Sequence, residues 1–212
     1  MANANVPFGL RPVRSLISGP YNGAVTMYYI PSTDTSEYHL GDAVTTTAGG
    51  DVATGAAAAI LYGTRAAAST TGALLGPIVG IATASGLSMG VVGGDPSNLN
   101  IVYIPATKTQ GYYVYVADDP SLVFLVQTDS NGLASTAFNK NVPFYVAAVP
   151  TAPATYSASY IQGGSAATTQ ALPLKIVGAP SRPDNVLAGS AAYAEVFVMI
   201  NQHCLGLNTV GV

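Results

Sequence analysis

Residues 112–127 read YYVYVADDPSLVFLVQ, and this stretch decides the fold class. Two runs of aromatic and β-branched residues, Tyr112–Ala117 and Leu122–Gln127, are separated by Asp118-Asp119-Pro120. Such side chains fit a pleated, half-buried surface, whereas Asp and Pro favour turns. The stretch therefore predicts two strands joined as a hairpin by a short acidic turn.

The same signals recur in both directions. Ala24–Ile30 is ended by Pro31 and the polar STDTSE, and Leu40–Thr47 starts at Gly41-Asp42 and is turned by Gly49-Gly50-Asp51. Pro77–Ala82, Ile101–Ile104, Val142–Val149, Leu172–Val177 and Tyr193–Asn201 complete the strand candidates. In the last of these, Tyr193, Glu195, Phe197 and Met199 share one face, with Ala194, Val196, Val198 and Ile200 on the other. Apolar residues on both faces mark it as a central strand. The one helix candidate is Gly55–Ala68, where Gly63 and Thr64 interrupt an alanine run, so at best one short helix or an irregular segment is expected there. Many short strands with Gly/Pro/Asn turns predict an all-β body, either an antiparallel β-sandwich of jelly-roll type or a small β-barrel.

Two stretches fall outside this pattern. Residues 1–23 carry Pro7, Gly9, Pro12, Gly19 and Pro20 with Arg11 and Arg14 between them. Proline fixes φ and cannot donate a ladder hydrogen bond, so an extended N-terminal arm is expected, running ahead of a β domain over 24–212. An arm of this kind either frays or lies along a partner. Residues 150–170, rich in Ala, Thr, Ser and Gly, predict a long polar loop or insertion that holds Tyr156 and Tyr160 but little to anchor a core.

Composition narrows the function. Charged residues make up 8% of the chain against roughly 25% in an average soluble domain, while 49% are hydrophobic. So weakly charged a chain is expected to spend its life with much of its surface covered by neighbours. Seven basic residues at a net charge of −3 form no stripe in the sequence, which argues against direct nucleic-acid binding. The uncharged stretch Ala73–Gly94 is long enough to span a bilayer but contains six glycines and a proline. A buried strand at Gly76–Ala82 followed by a glycine-rich loop fits it better than membrane insertion. The start has no basic region followed by an apolar one, so the chain is expected to be made and folded in a cytoplasm.

Chemistry finds little footing. Cys204 is the only cysteine, which excludes an internal disulfide, and with His203 and His39 alone it makes no zinc pattern. Asp34, Asp51, Asp95, Asp119 and Asp129 stand beside Gly, Pro, Ser or Thr, and Asp118 stands two residues before Pro120, where aspartate serves turn geometry. Neither histidine lies in a catalytic motif, and Gly90–Gly94 lacks the lysine or downstream acid of a phosphate loop. No enzyme activity and no cofactor are expected. The 13 tyrosines leave open a glycan-binding face.

Three blocks carry a family resemblance. Residues 5–44 contain FGLRPVR, YYIP and LGDAV; residues 112–130 hold the expected hairpin; residues 172–203 contain Arg182-Pro183-Asp184-Asn185 and end in Ile200-Asn201-Gln202-His203. Together they resemble capsid decoration proteins of tailed bacteriophages, over about half of the chain. The stretch Gly49–Gly94 carries no motif of the family. The resemblance implies a cement protein on the outside of an icosahedral head, located in the virion and assembled in the host cytoplasm. Its partners would be the major capsid protein and further copies of itself. It assigns shell contact to Phe8 as an apolar anchor, to Leu10, and to Arg11 and Arg14 facing capsid carboxylates, with Tyr156 and Tyr160 completing the contact set. Arg182 and Asp184 are expected to brace a turn. The alternative is a virion surface adhesin that holds host glycans on exposed tyrosines.

Overall fold

The computed structural model describes residues 3–83, 103–148, 156–187 and 191–206. In chain order the strands are β1 (Arg11–Ser15), β2 (Gly19–Pro20), β3 (Thr26–Ile30), β4 (Tyr38–His39), β5 (Ala43–Asp51), β6 (Ala56–Leu61), β7 (Ala67–Ser69) and β8 (Gly76–Thr83). They continue with β9 (Tyr103–Ile104), β10 (Tyr112–Val116), β11 (Leu122–Gln127), β12 (Asn141–Val142), β13 (Phe144–Val146), β14 (Tyr160–Ile161), β15 (Leu174–Gly178) and β16 (Glu195–Ile200). Two short 3₁₀ turns, Ser135–Ala137 and Gly163–Ser165, are the only helical elements among the described residues. The chain is all-β.

Five strands, in the order β10-β3-β6-β5-β8, close into a small barrel, and six, in the order β12-β15-β16-β11-β1-β2, form an open antiparallel sheet. Smaller sheets, β14-β13-β7 and β4-β9, sit beside them. One core joins the two main units: Tyr28, Ile30, Val44 and Val114 from the barrel belong to the same buried cluster as Phe124, Val126, Val196 and Val198 from the sheet. β16 is a central strand, as its two apolar faces require, paired with β15 on one side and β11 on the other. β8 covers the expected strand at Gly76–Ala82, and β9 is the second half of the expected strand Ile101–Ile104; the glycine-rich loop expected after β8, Asp95 and residues 101–102 lie outside the described residues.

The hairpin expected over 112–127 does not form, although both of its strands do. β10 pairs with β3 and β8 in the barrel, whereas β11 pairs with β1 and β16 in the open sheet. Asp118 accepts hydrogen bonds from Tyr28 Oη (2.8 Å) and Thr26 Oγ1 (3.0 Å), which ties the connection to the barrel. Pro120 then turns the chain out into the second sheet, so the acidic segment is a crossover between sheets.

The alanine run is not a helix, and its middle, residues 62–66, is irregular. It supplies β6 and β7, with Ala58 and Ala59 almost fully buried. Helix propensity is a weak prior, and the interior of a five-stranded barrel is narrow enough to favour small side chains. Residues 156–165 are likewise no free loop. Ile161 is fully buried, Ser157 and Ser159 are inaccessible, and a Cβ on Gly163 would lie 1.9 Å from the Gly132 carbonyl oxygen. Residues 150–155 of that expected loop lie outside the described residues.

The N-terminal arm is extended but is laid on its own body. Residues 11–15 are β1, an interior strand of the open sheet, and Leu10 is only 2% exposed. Upstream, Asn3 Nδ2 donates to the Val186 and Ala192 carbonyls (2.9 Å each), and the Val186 N–H donates to Asn3 Oδ1 (2.7 Å). Buried Gln127 donates to the Ala4 carbonyl (2.8 Å) and accepts from the Val6 N–H (3.1 Å).

Candidate contact surface

Two glycines seat the arm. Gly9 and Gly41 both have positive φ (+73° and +88°), a region that strongly favours glycine, and their backbones touch. A Cβ on Gly9 would lie 2.1 Å from the Gly41 oxygen, and one on Gly41 would lie 2.2 Å from the Phe8 oxygen. The Leu10 N–H donates to Gly41 O (2.9 Å) and the Gly9 N–H to Ser159 O (3.0 Å). FGLR and LGD, thirty residues apart in sequence, are thus two halves of one contact.

A buried ion pair stands behind that contact. Asp42 is completely buried, accepts the His39 backbone N–H (2.9 Å) and holds the Arg65 guanidinium through both carboxylate oxygens. Arg65 Nη2 also reaches the Glu37 carbonyl (2.6 Å), and Nη1 the Ala147 carbonyl (3.4 Å). Burial alone would raise the Asp42 carboxyl, but His39 and the Arg65 guanidinium outweigh it and hold the group below the ordinary carboxylate range. Asp42 was visible in the sequence only at the start of an expected strand and as part of LGDAV, and Arg65 was hidden in the alanine run. A charged residue isolated in a small-residue run was the one available signal.

The expected contact residues then separate. Leu10 is part of the core and is withdrawn from any partner contact. Phe8 is half-buried, with the Arg11 guanidinium 4.5 Å above its ring. Arg11 and Arg14 are exposed, and among the described residues neither makes an ion pair. Alternation would put residues 11 and 14 on opposite faces of a strand. A β-bulge between Pro12 and Arg14 places Arg11 opposite Leu125 and Arg14 opposite Val123, so both arginines stand on the same face.

Tyr156 is 56% exposed beside Leu40, whereas Tyr160 is half-buried and stacked on Tyr145 (4.7 Å between rings). Most other tyrosines are structural: Tyr29 packs against Tyr113 on the barrel wall, and Tyr38 donates to Asp34 Oδ1 (3.0 Å) while accepting the Leu61 N–H (3.0 Å). Burial pushes the Tyr38 hydroxyl far above its ordinary value.

Arg182 braces its turn, as expected, by bonding Glu195 (2.7 Å) and pairing with Asp184 (3.3 Å). Asn185, the last residue of that RPDN motif, locks the same turn by donating to Pro180 O and Glu195 O and accepting the Glu195 N–H. Between this turn and the arm lies a cleft of about 330 Å³, with Phe8 and Arg11 on one wall and Arg182, Asp184 and Glu195 on the other. Among the described residues no group of three or more His, Cys, Asp or Glu side chains could hold a metal ion, and no helix is long and apolar enough to cross a membrane. His203 is buried, and desolvation, opposed by Asp118, lowers its imidazole below the ordinary value. No family model, curated protein or solved structure matches the chain.

Proposed function

We propose that this chain is a structural virion protein that binds the outer surface of a phage icosahedral head and cements neighbouring major capsid subunits. The observation that carries this reading is the pair of exposed arginines, Arg11 and Arg14, which make no ion pair among the described residues and stand on one face of an interior strand of the open sheet. Guanidinium groups without internal carboxylates are free to make bidentate bonds to carboxylates of another protein. Phe8 stands beside them as a half-buried apolar neighbour. The low charge of the chain fits a surface covered by subunits and by further copies of itself, and several modest contacts together give tight attachment.

Co-sedimentation with mature heads that lack the protein, and with unexpanded precursor heads, tests the reading. Saturable binding at a fixed ratio to the shell protein is expected; no binding to either kind of head removes it. The adhesin reading rests on a polar cleft of about 240 Å³ lined by Tyr160, Tyr193, Asp129, Ser130 and Asn5. Glycan-array binding by a chain that ignores heads is the result that would favour it.

A further inference from the structure

The seven basic residues are not distributed evenly. Arg65, Lys108 and Arg182 are in ion pairs with Asp42, Asp34, Asp184 and Glu195. The other four, Arg11, Arg14, Lys140 and Lys175, make none among the described residues, and all four belong to or adjoin the open sheet: two on β1, one on β15 and one immediately before β12.

The strand register resolves this further. Arg14 faces Val123, Val123 faces Met199, and Met199 faces Lys175, so four strands contribute one row on one face. The next row runs Arg11, Leu125, Phe197. Residues directly opposite each other share a face, so this face carries cations at both margins and apolar side chains between them. Val123, Leu125, Phe197 and Met199 belong to neither hydrophobic cluster of the interior; Val123 and Leu125 are buried, so the apolar surface of the strip comes from the half-buried Phe197 and Met199. The row beyond, Gln127 opposite Glu195, brings a carboxylate to the same face, and Arg182 already holds it.

We infer that the outer face of the open sheet, from β1 across to β15, is the docking face for an acidic protein surface with apolar side chains at its centre. Charge complementarity selects that partner: in an acidic chain, three of the four cations that make no ion pair among the described residues, Arg11, Arg14 and Lys175, stand around one apolar strip. A polar or charged rim around an apolar centre is the usual anatomy of a protein interface. The inference rests on the cement reading and deepens it, because it moves the contact from the arm alone to a sheet face that includes Lys175.

The test uses the full chain, mature heads and three charge changes. Lys175→Glu lies at the margin of the face remote from the arm; Arg14→Glu lies at the near margin; Val52→Glu is a control at a fully exposed barrel turn. Both Lys175→Glu and Arg14→Glu are expected to weaken head binding ~10-fold at low salt and to flatten its salt dependence, since like charges at an interface repel. Val52→Glu is expected to bind like wild type, and Lys175→Gln to show a smaller loss than Lys175→Glu. Thermal melts check that each variant is folded. Loss with Arg14→Glu but wild-type binding with Lys175→Glu overturns the sheet face while leaving the cement reading intact. Failure of the wild-type chain to bind heads overturns both. Binding of the wild-type chain to duplex DNA that is lost in Lys175→Glu overturns the inference in favour of a nucleic-acid face.

Discussion

Asp42→Asn and Arg65→Met test whether the buried ion pair organises the fold around the arm. Asp42 is fully enclosed, while the Arg65 side chain is 17% exposed, so the two deletions are not equivalent. Removing one member of a buried pair leaves the other charge uncompensated, at about 3–5 kcal/mol. Asp42→Asn leaves a guanidinium that still reaches water and two carbonyls, so the lower end, ~3 kcal/mol, is expected. Arg65→Met strands a carboxylate with no solvent access, so the upper end, ~5 kcal/mol, is expected. In a chain of this size each kcal/mol shifts Tm by about 2–4 °C, which gives losses of roughly 6–12 °C and 10–20 °C. Replacing both partners removes the orphaned charge, so the double variant is expected to be more stable than the sum of the single losses implies. Thermal and denaturant melts of the four proteins at neutral pH measure this. Single variants within about 0.5 kcal/mol of wild type, or strict additivity in the double, would refute the reasoning.

Four further outcomes follow from the same contacts. Because the Asp42 carboxyl is depressed in the folded chain, the unfolded chain takes up that proton first, near the ordinary ~3.9. Its stabilisation is complete above that value and is lost as pH falls through it towards the depressed one; melts between about pH 5 and 2 should show a flatter profile for Asp42→Asn, and parallel profiles would contradict the assignment. His203 behaves oppositely in charge but not in direction: burial keeps it neutral, the unfolded chain protonates first near 6.5, and stability falls as pH drops below that value. His203→Gln should lack this component in melts at pH 7.5 and 5.5, and identical slopes would sink the idea. Gly9→Ala forces a left-handed backbone and a clash with Gly41 O, for a loss of about 2 kcal/mol or more and faster proteolysis near the N-terminus; a wild-type melt would refute the glycine lock. Leu10→Ala should cost about 2–5 kcal/mol as a core truncation, and a wild-type melt with lost head binding would return Leu10 to the contact set.

The strands were legible because their signal is local. Tyr112–Val116 and Leu122–Gln127 satisfy the composition rule wherever their partners lie, and β16 announced its central place through two apolar faces. Partner choice was not legible, because Asp118-Asp119-Pro120 is compatible with both a hairpin and a crossover, and only the distant Thr26 and Tyr28 hydroxyls decide between them. The alanine run misled for a related reason: alanine is the best helix former in isolation, but it also suits a tight barrel wall. Of the contact residues, Arg11 and Arg14 were visible as exposed cations. That they share a face was not, since a bulge is a property of the pairing and leaves no mark in RPVRS.

The docked arm also changes how attachment to a shell would have to work. A free arm loses conformational entropy when it binds, about 1–2 kcal/mol for each residue it orders. Here residues 3–15 are already fixed by Asn3, Gln127, the Gly9–Gly41 contact and the ladder to β11, so that cost belongs to folding. In the proposed attachment Phe8, Arg11 and Arg14 would therefore meet a partner preorganised, and a modest contact area would yield more affinity than a flexible tail of the same composition. The same fact rules out truncation as a clean probe. Removing residues 2–16 would take away Leu10 and an interior strand, leave the hydrogen-bonding edge of β11 open, and abolish binding by unfolding the body. Only point changes at exposed positions, such as Arg14 and Lys175, separate holding the fold from holding a partner.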